Sequence, residues 1–368
     1  MPDETRPSRT VTLDFAGSEA TTDGRRDLSA VARVGDDLWL GSDEGTCLIR
    51  LTRVADDRWA CATAVPLDAL LDLPGGADDE IDVEGLHAGG GWPWVVGSHG
   101  AARKAADEEL APKERLRRLA RVTRKGNRHL LARLPLVPAV EGAGGHTLAR
   151  EAPADGSASP RRAARLPGGR SSNRLTDALS DDRHLGPSLV VPGKDTGFDV
   201  EGLAVHGDRV WLGLRGPVLR GLAVVLAIAP CPDTDEAEAL RLRRCGPKGR
   251  RYEKFFLDLS GLGVRELCAH GDDLLILAGP TMQLDGRATV LRWRGAAHAR
   301  GDAIVDRRDL ERVLDLPYGR GDDEGVDHPE GIAILEEDGA PALLVVHDSP
   351  AAQRERGAAV QADLYPLR

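Results

Sequence analysis

Two columns of polar side chains could assemble one ionic site. The first column holds Ser29, Glu84, Glu201, Arg265 and Glu330, and the second holds Asp43, His99, Arg215, Gly279 and Asp348. Glu84, Glu201, Glu330, Asp43 and Asp348 are carboxylates. Gathered at one place, they would offer Ca²⁺ or Mg²⁺ the several hard oxygen ligands these ions require. Arg215 and Arg265 could grip a phosphate or carboxylate bidentately, and His99 could serve as a base. The chemistry implied is binding of a small anionic ligand or a divalent cation, and hydrolysis of an ester, lactone or phosphoester. A structural reading stands beside it: each Glu bonds a neighbouring repeat's backbone or pairs with an Arg. The departures from repetition favour a specific site. A scaffold part should recur unchanged, yet Arg265 stands where others have Glu, and His99 and Arg215 stand where others have Asp.

The columns exist because one segment recurs. Its copies begin at Asp27 (DLSAVARVGDDLWLGSDEG), Asp82 (DVEGLHAGGGWPWVVGSHG), Asp199 (DVEGLAVHGDRVWLGLRGP), Gly263 (GVRELCAHGDDLLILAGPT) and His328 (HPEGIAILEEDGAPALLVVHDSP). Each reads as two β-rich runs around a Gly/Asp turn, which is a β-hairpin. Third strands are expected at CLIRLTRV, HLLARLPLV, LAVVLAI, TVLRW and DLYPL. Fourth strands are expected at ATAVPL, SLVVP, KFFLDL and RVLDL, and the last at VTLDF, residues 11–15. A chain one strand short at its end and one strand long at its start can close a ring, which removes open sheet edges.

The expected fold is all-β: one β-propeller spanning residues 1–368 with about five four-stranded blades, closed by strands from both ends. Six blades, with one hidden between residues 101 and 190, is the alternative. In an antiparallel hairpin the start of one strand lies beside the end of the next. Both columns should therefore ring one mouth of the central channel.

Two stretches break the pattern. Residues 101–126 are densely charged, with helical spacing of Leu116, Leu119 and Ala120, and predict one or two short surface helices. There Arg103, Lys104 and the Arg117–Arg118 pair could meet an anionic ligand or a protein partner; otherwise the segment is a solvated face. Residues 139–174, rich in Ala, Gly, Pro, Ser and Arg, predict a flexible excursion. The following LTDALSDDRHLGP (175–187) predicts a helix capped by Thr176 or Asp177, since its Asp177, Asp181, Asp182 and His184 match no standard metal spacing.

Composition narrows the classes. Aromatic residues make up only 4% of the chain, so Val, Leu, Ile and Ala must fill the interior. A formal net charge of −10 argues against general nucleic-acid binding. The polar start, the absence of a membrane-length apolar run and five cysteines without a CxxC pair predict a cytoplasmic protein with reduced, mostly buried thiols. Gly-x-Ser-x-Gly, P-loop and HExxH signatures are missing. Ser98 beside His99 makes a poor nucleophile–base pair, because adjacent strand residues face opposite ways.

Several phrases carry a family resemblance: DLSAVARVGDDLWLGSDEG, EIDVEGLH, LTDALSDDRHLGP, KDTGFDVEGLAV, WLGLRGPVLRG, LAGPTMQLDG and HPEGI. They resemble an uncharacterised bacterial family, domain-of-unknown-function family 3616, across nearly the whole chain. That resemblance implies no activity. More loosely, the Glu-Gly-Leu/Ile hairpins resemble phytase-like, gluconolactonase-like and strictosidine-synthase-like propellers, several of which bind calcium in the channel and hydrolyse esters or lactones. Glu84, Glu201 and Glu330 match the Glu-Gly element. The asparagine ligand of calcium-dependent lactonases has no clear counterpart, since the only asparagines are Asn127 and Asn173. The alternative, from another class, is a non-catalytic interaction scaffold using residues 101–126.

Overall fold

A computed structural model describes residues 5–17, 24–139, 145–154, 156, 159–282, 284–319, 323–337 and 339–367, the Cys61 side chain excepted. Strand β1 (Arg9–Asp14) precedes the first repeat. The first meander is β2 (Leu28–Val34), β3 (Asp37–Ser42), β4 (Cys47–Ala55) and β5 (Arg58–Pro66). The second is β6 (Val83–Gly89), β7 (Trp92–Gly97), β8 (Leu131–Arg133) and β9 (Ala164–Arg165). The third is β10 (Asp199–His206), β11 (Arg209–Leu219), β12 (Leu222–Ile228) and β13 (Tyr252–Asp258). The fourth is β14 (Gly263–His270), β15 (Asp273–Gly279), β16 (Ala288–Trp293) and β17 (Leu310–Leu316). The fifth is β18 (His328–Glu337), β19 (Ala340–Asp348), β20 (Ala359–Pro366) and then β1, which pairs antiparallel to β20 with Val11 opposite Ala362. β1 also runs parallel to β5, with Thr12 opposite Arg58, so the N-terminal strand ties the first and fifth meanders into one sheet. The first strands touch in sequence, β2 on β6, β6 on β10, β10 on β14, β14 on β18 and β18 back on β2. The arrangement is all-β and propeller-like.

Strand periodicity explains how these sheets stack. Successive residues of a strand face opposite sides, and here both sides are covered. In β15, Leu274, Ile276 and Ala278 pack with Trp211, Phe255 and Trp293 toward the third meander. Leu275 and Leu277 pack with Leu343 and Tyr365 toward the fifth. A strand buried on both faces reads as a continuous apolar run, as LLILAG does.

Glycine sets how closely the first strands approach. A Cβ at Gly85 would sit 2.7 Å from the Leu203 Cβ, and one at Gly202 would sit 2.9 Å from the Leu267 nitrogen. One at Gly331 would sit 3.2 Å from the Ala30 carbonyl carbon. Each of these glycines therefore lets its strand lie against the backbone of the next meander.

Three expectations are corrected. SLVVP forms no strand; Gly186–Val190 is a 3₁₀ turn, with Pro187 at its start removing a ladder donor. The second meander's fourth strand comes instead from Ala164–Arg165, antiparallel to β8, inside the stretch expected to be flexible. Residues 140–144, 155 and 157–158 of that stretch lie outside the described residues. The helix of the 175–187 motif is α2 (Arg174–Leu179), which follows α1 (Pro112–Leu119) along the chain, and its cap is Asn173. Asn173 Oδ1 accepts from the Leu175 and Thr176 nitrogens at 2.9 and 3.1 Å.

No helix among the described residues is long and apolar enough to cross a membrane. Cys47, Cys231, Cys245 and Cys268 are free and half-buried rather than fully buried.

Candidate functional site

The hairpins bring the starts of first strands and the ends of second strands to one mouth, as their antiparallel register requires. The recurring first residue of each copy joins them there. Asp199 and Glu201, two apart on β10, face the same side, and Arg215 at the end of the second strand reaches both. Its Nη2 lies 2.5 Å from Asp199 Oδ2 and its Nη1 2.6 Å from Glu201 Oε1. Arg265 Nε lies 3.1 Å from Glu201 Oε2, and its Nη2 pairs with Glu330. One continuous ionic chain therefore links the third, fourth and fifth meanders. Burial raises the Glu201 carboxyl, and the guanidiniums of Arg215 and Arg265 oppose that rise.

The second meander differs. Counting from its turn, six residues beyond Trp92 is Ser98, just as six beyond Arg209 is Arg215. The column position expected for His99 therefore belongs to Ser98, whose hydroxyl bonds Asp82. His99, one residue on, turns away from the mouth with φ of 57°. Its Nδ1 donates to the Gly97 carbonyl at 2.7 Å, and Asn173 Nδ2 donates to its Nε2 at 2.8 Å. Burial, then the neighbouring His129, holds this imidazole down to about 3. It is a neutral packing residue and lines neither mouth cavity.

Asp82 pairs with Arg128 at 3.2 Å. Glu84 is only 9% exposed and makes no ion pair among the described residues. Burial, followed by the charges of Glu201, Asp82 and Asp199, pushes its carboxyl well above the usual range. Asp43 is pushed up to about 8, by burial and then by Asp348, Asp82 and Asp27. Asp43 therefore holds its proton near neutral pH, and burial among like charges favours the protonated form of Glu84. His328 sits at the other side of the mouth, 2.8 Å from Asp285 and 3.8 Å from Asp348, and these carboxylates raise its pKa.

Two cavities of about 390 Å³ each open here. Lys194, Arg215, Glu330 and Asp348 line both. Asp43, Asp82, Glu84, Asp199 and Glu201 line only one, the acidic compartment. Arg103, Lys104 and Leu119 line it too, so the 101–126 segment forms part of its wall. That segment is one helix, α1, beside a short hairpin of Ala102–Arg103 and Val122–Thr123. Arg103 is fixed by Asp195 at 2.5 Å and by the Leu119 carbonyl at 2.7 Å. Arg117 and Arg118 bond Glu114 and the Ala105 carbonyl and do not line the cavity.

Among the described residues, no three His, Cys, Asp or Glu side chains are arranged to hold a metal ion. Neither asparagine reaches the mouth. Asn127 braces the 75–79 loop through Gly75 and Gly76, each at 2.7 Å, and Asn173 caps α2. The structural role considered for the repeated glutamates is met in part: Glu201 and Glu330 pair with arginines, while bonds to a neighbouring meander's backbone come from other residues. Ser29 Oγ donates to the Val83 carbonyl of the next meander. Glu266 accepts from the Leu203 and Leu267 nitrogens at 3.0 and 2.8 Å.

Asp82, Asp199, Arg128 and Lys194 were not singled out by the two columns. The first two could have been: they open their copies, at a third column running Asp27, Asp82, Asp199, Gly263 and His328. Arg128 and Lys194 come from loops outside the repeat, where no periodic signal exists.

The family described as Protein of unknown function (DUF3616) matches residues 27–363. The chain belongs to that family. No curated protein matches it. Solved structures similar to this DUF3616 chain include glutaminyl cyclase from Myxococcus xanthus, at 10% identity and TM-score 0.41, covering 99% of this chain and 97% of that one. A xylan β-1,4-xylosidase from Bacillus halodurans C-125 matches at 10% identity and TM-score 0.41 over 94% of this chain, which spans 54% of the xylosidase. PQQ-bound aldose sugar dehydrogenase from Streptomyces coelicolor matches at 12% identity and TM-score 0.37, covering 98% and 100%. These likenesses lend no activity to the DUF3616 chain.

Proposed function

We propose that this chain is a five-bladed propeller whose mouth is the active site of a hydrolase for a small ester-type substrate. The observation that carries the reading is Glu84, a carboxyl buried at the cavity wall, without an ion pair among the described residues and pushed toward its protonated form by burial and neighbouring carboxylates. Such a group can give its proton to a departing oxygen. In the proposed step water adds its oxygen to the acyl or phosphoryl centre. The bond to the leaving oxygen breaks, Glu84 supplies that oxygen's proton, and Asp348 accepts the proton lost by water. Lys194 and Arg215 face the oxyanion that forms.

Turnover of carboxylic ester, lactone and phosphoester panels, with and without Ca²⁺ or Mg²⁺, tests this. Glu84→Gln keeps shape and loses the proton; it should slow turnover at least about a hundredfold. Absence of turnover throughout the panel, or an unimpaired Glu84→Gln enzyme, overturns the reading. A metal-raised melting temperature that disappears in the Glu84→Ala, Glu201→Ala variant would instead make the site metal-dependent.

A second reading, an interaction scaffold, is favoured by one feature. Leu116 and Leu119 on α1 and Val122 beside it are 70%, 43% and 41% exposed. It predicts a co-purifying protein that is lost when residues 101–126 are deleted.

A further inference from the structure

The second mouth cavity lies where the fourth copy departs from the repeat. The other copies place an acid, Ser98 or Arg215 at the second-column position, but the fourth has Gly279, and it has Arg265 in place of Glu. The two departures are one event: a Cβ at Gly279 would sit 2.8 Å from the Arg265 Cγ. Without a side chain at 279, the Arg265 stem lies across that strand and its head reaches Glu201 and Glu330. The space beyond opens as a cavity lined by Arg265, Gly279, Pro280, Met282, Leu284 and Tyr318.

This cavity is unlike its neighbour. Its polar wall joins the part shared with the acidic compartment, Lys194, Arg215, Glu330 and Asp348, to Arg265, Asp285, His328 and Ser349 of its own. Pro280, Met282, Leu284 and Tyr318 give it larger apolar side chains, whereas the apolar lining of the acidic compartment is three alanines and Leu119. Leu284 stands at the lip with 60% of its surface exposed. Exposed apolar surface continuous with a polar cleft is a ligand-binding feature.

We propose that this cavity binds the apolar part of the same ligand, so that the ligand is amphipathic: an oxyanion or ester head with an aryl or alkyl substituent. The head lies at the shared wall, where Lys194 makes no ion pair among the described residues and where Glu84 and Asp43 approach from the acidic side. The substituent displaces water from Pro280, Met282, Leu284 and Tyr318. This rests on the mouth being the ligand site proposed above, and it adds the substrate class.

Calorimetric binding of matched pairs tests it without turnover. Phenylphosphonate is compared with methylphosphonate, and phenylacetate with acetate, at pH 6; the two pairs separate a phosphoryl head from a carboxylate head. In at least one pair the phenyl member should bind about tenfold tighter or more, from apolar area removed from water. Leu284→Ser, an exposed substitution that leaves the core untouched, and Tyr318→Ala should each shrink that ratio toward one without weakening the methyl member. Equal affinity within both pairs overturns the second-cavity proposal and leaves the hydrolase reading standing. Binding of neither pair overturns both.

Discussion

The same five residues, DVEGL, open the second and third copies at 82–86 and 199–203, yet their carboxylates meet opposite fates. In the third copy Arg215 bonds Asp199 and Glu201, and Arg265 closes on the other Glu201 oxygen. In the second copy the matching position is Ser98, which has no charge to give. Asp82 turns to Arg128 from a neighbouring loop, and Glu84 makes no ion pair among the described residues, the more distant Arg215 only partly offsetting its burial. The first strand thus supplies identical acids, and the end of the second strand decides which find a cation partner. Paired acids hold the third, fourth and fifth meanders together, and Glu84 lines the same cavity without an ion pair among the described residues.

The largest break of this contrast is Arg215→Ala. It strands the buried Asp199 and leaves Glu201 with Arg265 alone, and removing one partner of a buried ion network costs about 3–5 kcal/mol. Urea denaturation should show that loss, or failure to fold. Glu84→Gln, measured the same way, should cost less than about 1 kcal/mol, because an amide replaces a neutral acid of nearly the same shape. Equal costs for the two would dissolve the distinction between ionic joint and proton-holding site.

The difference between the copies was only partly legible in the sequence. Hairpins, their turns and the closing strand at residues 11–15 follow from short apolar runs punctuated by Gly and Asp turns. The glutamates' place at one mouth followed from antiparallel geometry alone. His99 was misplaced by one residue, since GSH ends in a run where Ser98 and His99 look equally eligible. Counting from the Gly90–Gly91 turn selects Ser98, and a slip of one reverses the face. The fourth strand of the second meander was not legible. Ala164–Arg165 is two residues long, and its pairing with β8 is set by tertiary packing rather than by any pattern of its own. The partners Arg128 and Lys194 depend on where loops return, which periodicity does not encode.

A middle-sized test concerns pH. Asp43 shares the crowded acidic side with Asp82 and Asp348, and Lys194 only partly offsets them. Its folded pKa, about 8, lies above its unfolded value of about 3.9. Between these values the folded state binds more protons than the unfolded state. Stability from this group is therefore fully present below about pH 4 and is lost as pH rises through about 8. Melting temperature should fall between pH 6 and 9, and Asp43→Asn should flatten that slope. His347, held down to about 4 by burial and then by Arg354, acts in the reverse sense below pH 6.5, so the slope is read above it. An unchanged slope in the Asn variant would mean that Asp43 is ionised beside Asp82, and that the acidic side is not a reservoir of protons.

The smallest effect tests why His99 points away. Asn173 has two duties: its Oδ1 caps α2, and its Nδ2 holds His99 Nε2 and the His129 carbonyl, the latter at 2.7 Å. Asn173→Ala removes a helix cap, worth about 1 kcal/mol, and leaves the buried imidazole short of a donor. Asn173→Asp keeps the cap oxygen but replaces the donor with an acceptor. If the second duty orients His99, the Asp variant should raise the His99 pKa, visible by NMR titration, while α2 stays capped. If the Asp variant leaves the imidazole untouched, the turn at Gly97 and the positive φ of His99 alone set its direction. The mouth would then owe its missing cation to backbone geometry rather than to Asn173.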